Sequence, residues 1–166
     1  MRLHTIRTDR AGDNERGAAL VEFALVLPLV VSLILGMVSG GAAYNRKLSM
    51  SGSVREGSRF GATLDGSASW ATYVQTRTAE LSANDLTTNQ VCVALVNAAT
   101  TATVYSASGS GCSSVTAPST PTTATSGCVV KIWAARPDQL QALFFTANLT
   151  LTAKTVARYE GSATGC

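Results

Sequence analysis

The sequence predicts an α+β protein, a long N-terminal membrane-spanning helix followed by a small antiparallel-sheet head. Three observations carry this. The run from Phe23 to Tyr44 contains no charged residue. Three later stretches repeat apolar residues with the period of two that a half-buried strand requires. All four cysteines follow the apolar run. Of the 166 residues, 46% are hydrophobic, only 14% charged and 6% aromatic, whereas an average soluble domain has about 25% charged residues. Such a chain is too apolar to be wholly disordered. A net charge of +3 falls short of the concentrated basic face that nucleic acid binding needs. The single histidine, His4, lies among Arg2, Arg7 and Arg10, leaving little material for a histidine-dependent triad or metal site. No cofactor and no metal are expected.

In chain order, residues 1–17 read as a polar cytoplasmic leader and 18–43 as the membrane helix. The charge-free positions from Phe23 to Tyr44 span roughly 33 Å at ~1.5 Å per residue, which matches the hydrocarbon core of a bilayer. They are apolar on every side, and the remaining ~120 residues are too few to wrap a buried soluble helix of this kind. The alternative is a cleaved secretory signal, with Ser39–Ala43 as the small-residue cleavage region. Against it, the run exceeds the ~7–15 apolar residues of such signals, and Glu22 stands at its start. Arginines and lysines are nearly balanced across the run, so charge alone does not orient it. The cysteines decide the orientation: Cys92, Cys112, Cys128 and Cys166 suit disulfides in an oxidising exterior. The protein is therefore expected to be single-pass, with its N-terminus inside and its C-terminal domain extracytoplasmic.

Residues 44–64 continue as a helical stalk. Gly52, Gly57 and Gly61 weaken that helix by up to ~1 kcal/mol each. They mark either a fraying stalk or a surface that another helix approaches closely. Asp65-Gly66 ends it, and 65–166 form the head. A second helix follows from Trp70, Tyr73, Val74, Arg77 and Leu81, capped by Ser67 or Ser69. Strands are predicted over Val91–Val96, more weakly over Thr101–Tyr105, and over Cys128–Ala134 and Leu149–Lys154. Between the last two, Pro137 followed by Leu140, Leu143 and Phe144 suggests a short helix with proline in its first turn. Ser106–Gly127 reads as a low-complexity surface loop. A Cys112–Cys128 bridge would restrain it by about 3 kcal/mol, leaving Cys92–Cys166 to tie down the chain end. Three pairings are open. Asn148-Leu149-Thr150 matches a glycosylation triplet, read here as a chance match.

No enzyme motif is present. There is no G-x-S-x-G elbow, and no P-loop lysine follows Ser108-Gly109-Ser110-Gly111. Asp65, Glu56, Glu80, Asp85, Asp138 and Glu160 form no close pair in sequence. Lys131 and Trp133 share a strand face, as a partner-binding patch or as the exposed face of an edge strand.

Glu22 is the most informative residue. A carboxylate at the edge of a bare apolar helix is costly, although the interface and the helix dipole soften that cost. A charged leader ends at Arg16-Gly17, Glu22 follows five residues later, and the apolar helix begins at Phe23. This arrangement resembles the type IV prepilin signal. The stretch Arg16-Gly-Ala-Ala-Leu-Val-Glu-Phe-Ala-Leu-Val-Leu-Pro28 is similar to the N-terminus of TadE-like (TadE/TadG) proteins of tight-adherence pilus systems. Ser53–Ala62 and Leu149–Glu160 resemble two further stretches of that family, although Gly57 and Ser58 stand where it more often has alanine.

The resemblance implies a pilin-like head and cleavage by a prepilin peptidase between Gly17 and Ala18. It also implies an assembly role for Glu22, Phe23 and Pro28, in which Glu22 pairs with a neighbouring subunit's free amine and Pro28 kinks the helix. The implied partners are the peptidase, other pilins or pseudopilins, the secretion machinery and the lipid bilayer, with no nucleic acid. The expected function is that of a membrane-anchored pseudopilin or minor pilin in pilus assembly, and not an enzyme. The alternatives are a single-span cell-surface binding protein that keeps its N-terminus, and a small secreted domain.

Overall fold

A helix with no stop signal before Asp65-Gly66 can run uninterrupted, and it does. In the computed structural model, which describes residues 11–166 except Asn84 and Thr125, with side chains from Gly17 onward, helix α1 spans Ala11–Thr63. Its 53 residues reach roughly 80 Å at ~1.5 Å each. The expectations for His4 and the leader up to Arg10 lie outside the described residues. Pro28 sits inside α1 without interrupting the helical assignment. The anchor and the stalk are thus one helix.

Helix α2 spans Trp70–Glu80 and starts after Ser69, whose side chain makes no capping bond. The strands are β1 Val91–Asn97, β2 Thr103–Ser108, β3 Cys128–Gln141 and β4 Thr146–Arg158. They form one antiparallel sheet in the order β2-β1-β3-β4. The α+β plan is the one the sequence predicts.

The pleat sorts the sheet into two faces. Val91, Val93 and Leu95 of β1 and Val130, Ile132 and Ala134 of β3 face the two helices, where Met50, Val54, Trp70 and Val74 complete the core. The opposite face carries a smaller cluster of Ala94, Val96 and Val129, with Ala124 of the long loop and Trp133 packed on it. Trp133 and Lys131 therefore lie on a central strand flanked by β1 and β4, and both are half-buried. The edge-strand reading does not hold. Burial lowers the Lys131 pKa from its ordinary value.

Two further expectations are corrected. Pro137, Leu140 and their neighbours belong to strand, not to a short helix. β1 ends opposite Ala134, so beyond that point β3 pairs only with β4 and its other edge is open. An open edge is where a strand accommodates proline, which has no N–H to donate. The disulfides are Cys92–Cys112 and Cys128–Cys166, not Cys112–Cys128 with Cys92–Cys166. Cys92 faces outward on β1, where the short turn Ser110–Cys112 folds back against it. Cys128 starts β3 beside the chain end. The weak strand at Thr101–Tyr105 begins later, at Thr103, because Thr101 adopts a left-handed turn conformation (φ 59). The loop read as Ser106–Gly127 gives its first three residues to β2.

The glycine question resolves toward packing. A Cβ on Gly57 would collide with the Thr78 hydroxyl of α2, and one on Gly61 would lie 3.1 Å from both Val74 γ-carbons. Trp70 uses that space. Fully buried, it donates from Nε1 to the Gly61 carbonyl at 3.1 Å. Tyr159 stands edge-on to it and donates its hydroxyl proton to the Leu64 carbonyl. Burial, then the nearby Asp65 charge, raise the Tyr159 pKa above the ordinary tyrosine value. The backbone N–H groups of Glu160 and Gly161 both donate to the Ala62 carbonyl. The last turn of α1, whose carbonyls have no partner within the helix, is capped by the chain's own C-terminal segment.

Candidate functional site

Among the described residues, little packs on α1 from Gly17 to Ala42 except at its upper end. From Gly17 to Ala42 no side chain is buried, and the most apolar 18-residue window has no buried residue. Leu25 is 75% exposed and Met37 73%. An exposed apolar surface this large marks a partner, lipid or protein, that covers it. By length and composition the helix can cross a membrane, so it is a candidate membrane anchor. Glu22 is exposed on it and is the only charged residue between Arg16 and Arg46. Gly17, Ala18 and Phe23 are also exposed, and Pro28 is half-buried. A Cβ on Gly17 would meet nothing within 4 Å, so packing among the described residues does not require glycine there.

The site residues expected from the sequence therefore sit together on one free helical segment. The cysteines do not join them. They staple the head, away from the anchor.

Sequence reasoning missed a second element. β3 and β4 continue past the sheet as a two-stranded hairpin, paired from Ala135–Thr152 to Gln141–Thr146. This hairpin runs back along α1 toward the anchor. Three polar contacts hold it. Arg136 donates to the Asp85 backbone and carboxylate, the latter at 2.9 Å. Arg46 donates to Asp138 at 2.7 Å. The Ser39 hydroxyl donates to the Gln141 carbonyl at 2.9 Å. Burial alone would raise the Asp138 pKa, but the Arg46 hydrogen bond, the Gln139 N–H and the charges of Arg46 and Arg136 outweigh it and hold the carboxyl below its ordinary value. Its second oxygen, Oδ2, is buried without a hydrogen-bond partner. Between hairpin and helix lies a cleft of about 940 Å³, lined in part by Leu35, Val38, Arg46, Asp138, Leu143 and Leu149. The turn at the tip closes with Ala142 N–H donating to the Phe145 carbonyl at 2.9 Å.

The remaining carboxylates are dispersed. Asp85 serves Arg136, Glu80 pairs with Arg77, and Glu56 lies 4.0 Å from Arg59. Among the described residues no three His, Cys, Asp or Glu side chains gather as a metal site would require. The arrangement is one of surfaces and clasps, in which charge serves to position elements.

Residues 17–59 match the family model of TadE-like proteins. Over this segment the chain is similar to TadE-like proteins. The TadE-like match begins at Gly17, takes in Glu22 and Pro28, and ends within the packed half of α1, before the head. The family is one of structural pilus-assembly proteins. No curated protein and no solved structure matches the chain.

Proposed function

We propose that this protein is a membrane-anchored pseudopilin or minor pilin that takes part in assembling a tight-adherence type IV pilus, in association with other pilins and the secretion machinery. The observation that carries the reading is the TadE-like segment 17–59 falling on a helix whose apolar half is bare but for one carboxylate, Glu22. In this reading 1–17 is a cytoplasmic leader, 18–43 spans the membrane once, 44–64 is the stalk and 65–166 stands outside. A prepilin peptidase cuts between Gly17 and Ala18. Glu22 then pairs with a free amine on a neighbouring subunit, which relieves the cost of an unpaired charge in a low-dielectric surrounding. The exposed position of Gly17 supports access by a protease, since glycine leaves the backbone unhindered. The role is structural, not enzymatic.

N-terminal sequencing of the membrane-extracted protein tests the processing step. A mature start at Ala18 is expected, and a start at Met1 or near Tyr44 would sink it. Glu22→Ala is expected to impair pilus assembly while membrane insertion persists. Unchanged piliation would favour a surface-binding protein that does not enter the assembly.

A further inference from the structure

The hairpin tip is the most apolar exposed part of the head. Leu143 is 46% exposed, Phe144 73% and Phe145 64%. Four adjacent observations say what it faces. First, the tip lies level with the anchor. Ser39 bonds Gln141, and Leu143 shares the cleft with Leu35 and Val38. Second, that level is inside the apolar run. Val38 lies eight residues before Arg46, the first charge beyond the run, or about 12 Å along the helix axis. A hydrocarbon span of about 20 residues counted from Phe23 would reach Ala42, four residues past Val38. Third, the hairpin from Gln139 to Ala153 has no charged residue. Gln139, Gln141, Thr146, Asn148 and Thr150 are exposed around the tip, a polar collar of the kind that sits among headgroups. Fourth, the Arg46–Asp138 pair holds the hairpin to the helix just above that level, so the depth of the tip is fixed by the anchor.

We propose that Leu143, Phe144 and Phe145 insert into the bilayer that holds α1, at the boundary between headgroups and acyl chains on the head's side. Aromatic side chains favour that boundary, and an apolar wedge of this size reaches about 5–10 Å into it. The head is then fastened at two points, the helix and the hairpin tip, and stands in one orientation on the membrane. The proposal rests on reading α1 as a membrane anchor.

The two readings separate in one experiment. Full-length protein carrying Phe144→Trp, and separately Leu33→Trp, is reconstituted into phosphatidylcholine/phosphatidylglycerol vesicles with and without lipid brominated along its acyl chains. Both positions are exposed, so the fold tolerates either change. The native Trp70 and Trp133 give the baseline. Quenching of the added emission in both variants is the expected result, with Phe144→Trp quenched more by bromines near the headgroup and Leu33→Trp more by bromines deep in the chain. Quenching of Leu33→Trp with Phe144→Trp unquenched would overturn the tip insertion and leave the anchor standing. Blue-shifted, unquenched Phe144→Trp emission that depends on protein concentration would assign the tip to a second copy of the chain, and would also overturn it. An unquenched Leu33→Trp would remove the anchor and the proposal together.

Discussion

The two halves of α1 are the same secondary structure under opposite rules. From Gly17 to Ala42 every side chain is exposed or half-buried. From there on, Ala43, Met50, Ser53, Val54, Gly57, Ser58, Gly61 and Ala62 are buried, at spacings of three, four and seven that trace one face of a helix. The lower half is apolar all round and has no preferred face. The upper half is mixed in composition and has one. Glycine shows the contrast most sharply. In the lower half a Cβ on Gly36, Gly40 or Gly41 would meet nothing, whereas on Gly57 or Gly61 it would run into α2. The difference teaches that hydrophobic content and burial are separate properties. The greasier half is the naked one, as suits a candidate membrane anchor.

The comparison can be broken in several ways, and the largest effect should come from Trp70→Ala. Removing a fully buried tryptophan costs roughly 3–5 kcal/mol. Denaturant unfolding of the detergent-solubilised protein should show the head lost at much lower denaturant while membrane fractionation is kept. A midpoint close to wild type would mean that Trp70 does not fasten α1 to the head. Next come the staples. Loss of the Cys128–Cys166 bridge, which spans a sequence separation of 38, should cost about 3–4 kcal/mol in the chain-entropy account, slightly more than loss of Cys92–Cys112 with its separation of 20. Non-reducing peptide mapping checks the pairing directly, and a Cys112–Cys128 peptide would contradict it.

A matched glycine pair sharpens the contrast further. Gly57→Ala should destabilise the head by about 1–3 kcal/mol through overpacking, although alanine is the better helix former. Gly36→Ala should leave the unfolding midpoint of the head unmoved. Equal responses would erase the distinction between the halves. The smallest effect belongs to the clasp. Asp138→Asn should weaken hairpin docking by about 1 kcal/mol, as befits a pair with a partly exposed arginine. Because the folded-state pKa of Asp138 is depressed, the clasp contributes fully above the ordinary carboxyl range and is lost as pH falls through the lower folded value. Hydrogen-exchange protection at Gln139–Thr146, taken relative to the intrinsic rate at each pH, should fall in acid in the wild type, and the Asp138→Asn variant should not share that dependence.

The long apolar helix is the most legible part of the sequence, since a charge-free run needs no tertiary knowledge to interpret. The strands of the sheet core were legible for a similar reason, because Val91–Val96 and Cys128–Ala134 carry the period of two. The outer hairpin was not. Leu140, Leu143 and Phe144 fall at helical spacing, and Pro137 suits a helix start as well as an open strand edge. Only the position of β1, which ends opposite Ala134, separates the two. The disulfide pairing was hidden for a related reason. Proximity in sequence favoured Cys112–Cys128, but β1 carries Cys92 to Cys112 and the chain end returns to Cys128. In sequence Gly57 and Gly61 fit either weakness or close approach, and the neighbour that decides, α2, is visible only once folded. Gly17, Glu22 and Pro28 stand out in sequence because their spacing along a single helix is itself the signal, and the roles given to them are those proposed above.

The C-terminal seal and the hairpin give α1 a mechanical character. The head grips the helix at three staggered heights: Ser39 against Gln141, Arg46 against Asp138, and Ala62 against Glu160 and Gly161. A pull along the helix axis would load all three at once, in shear, instead of peeling them one after another. Tension on the anchor would thus pass into the long β3–β4 ladder and the disulfide at its far end, so the head would travel with the helix as one load-bearing body.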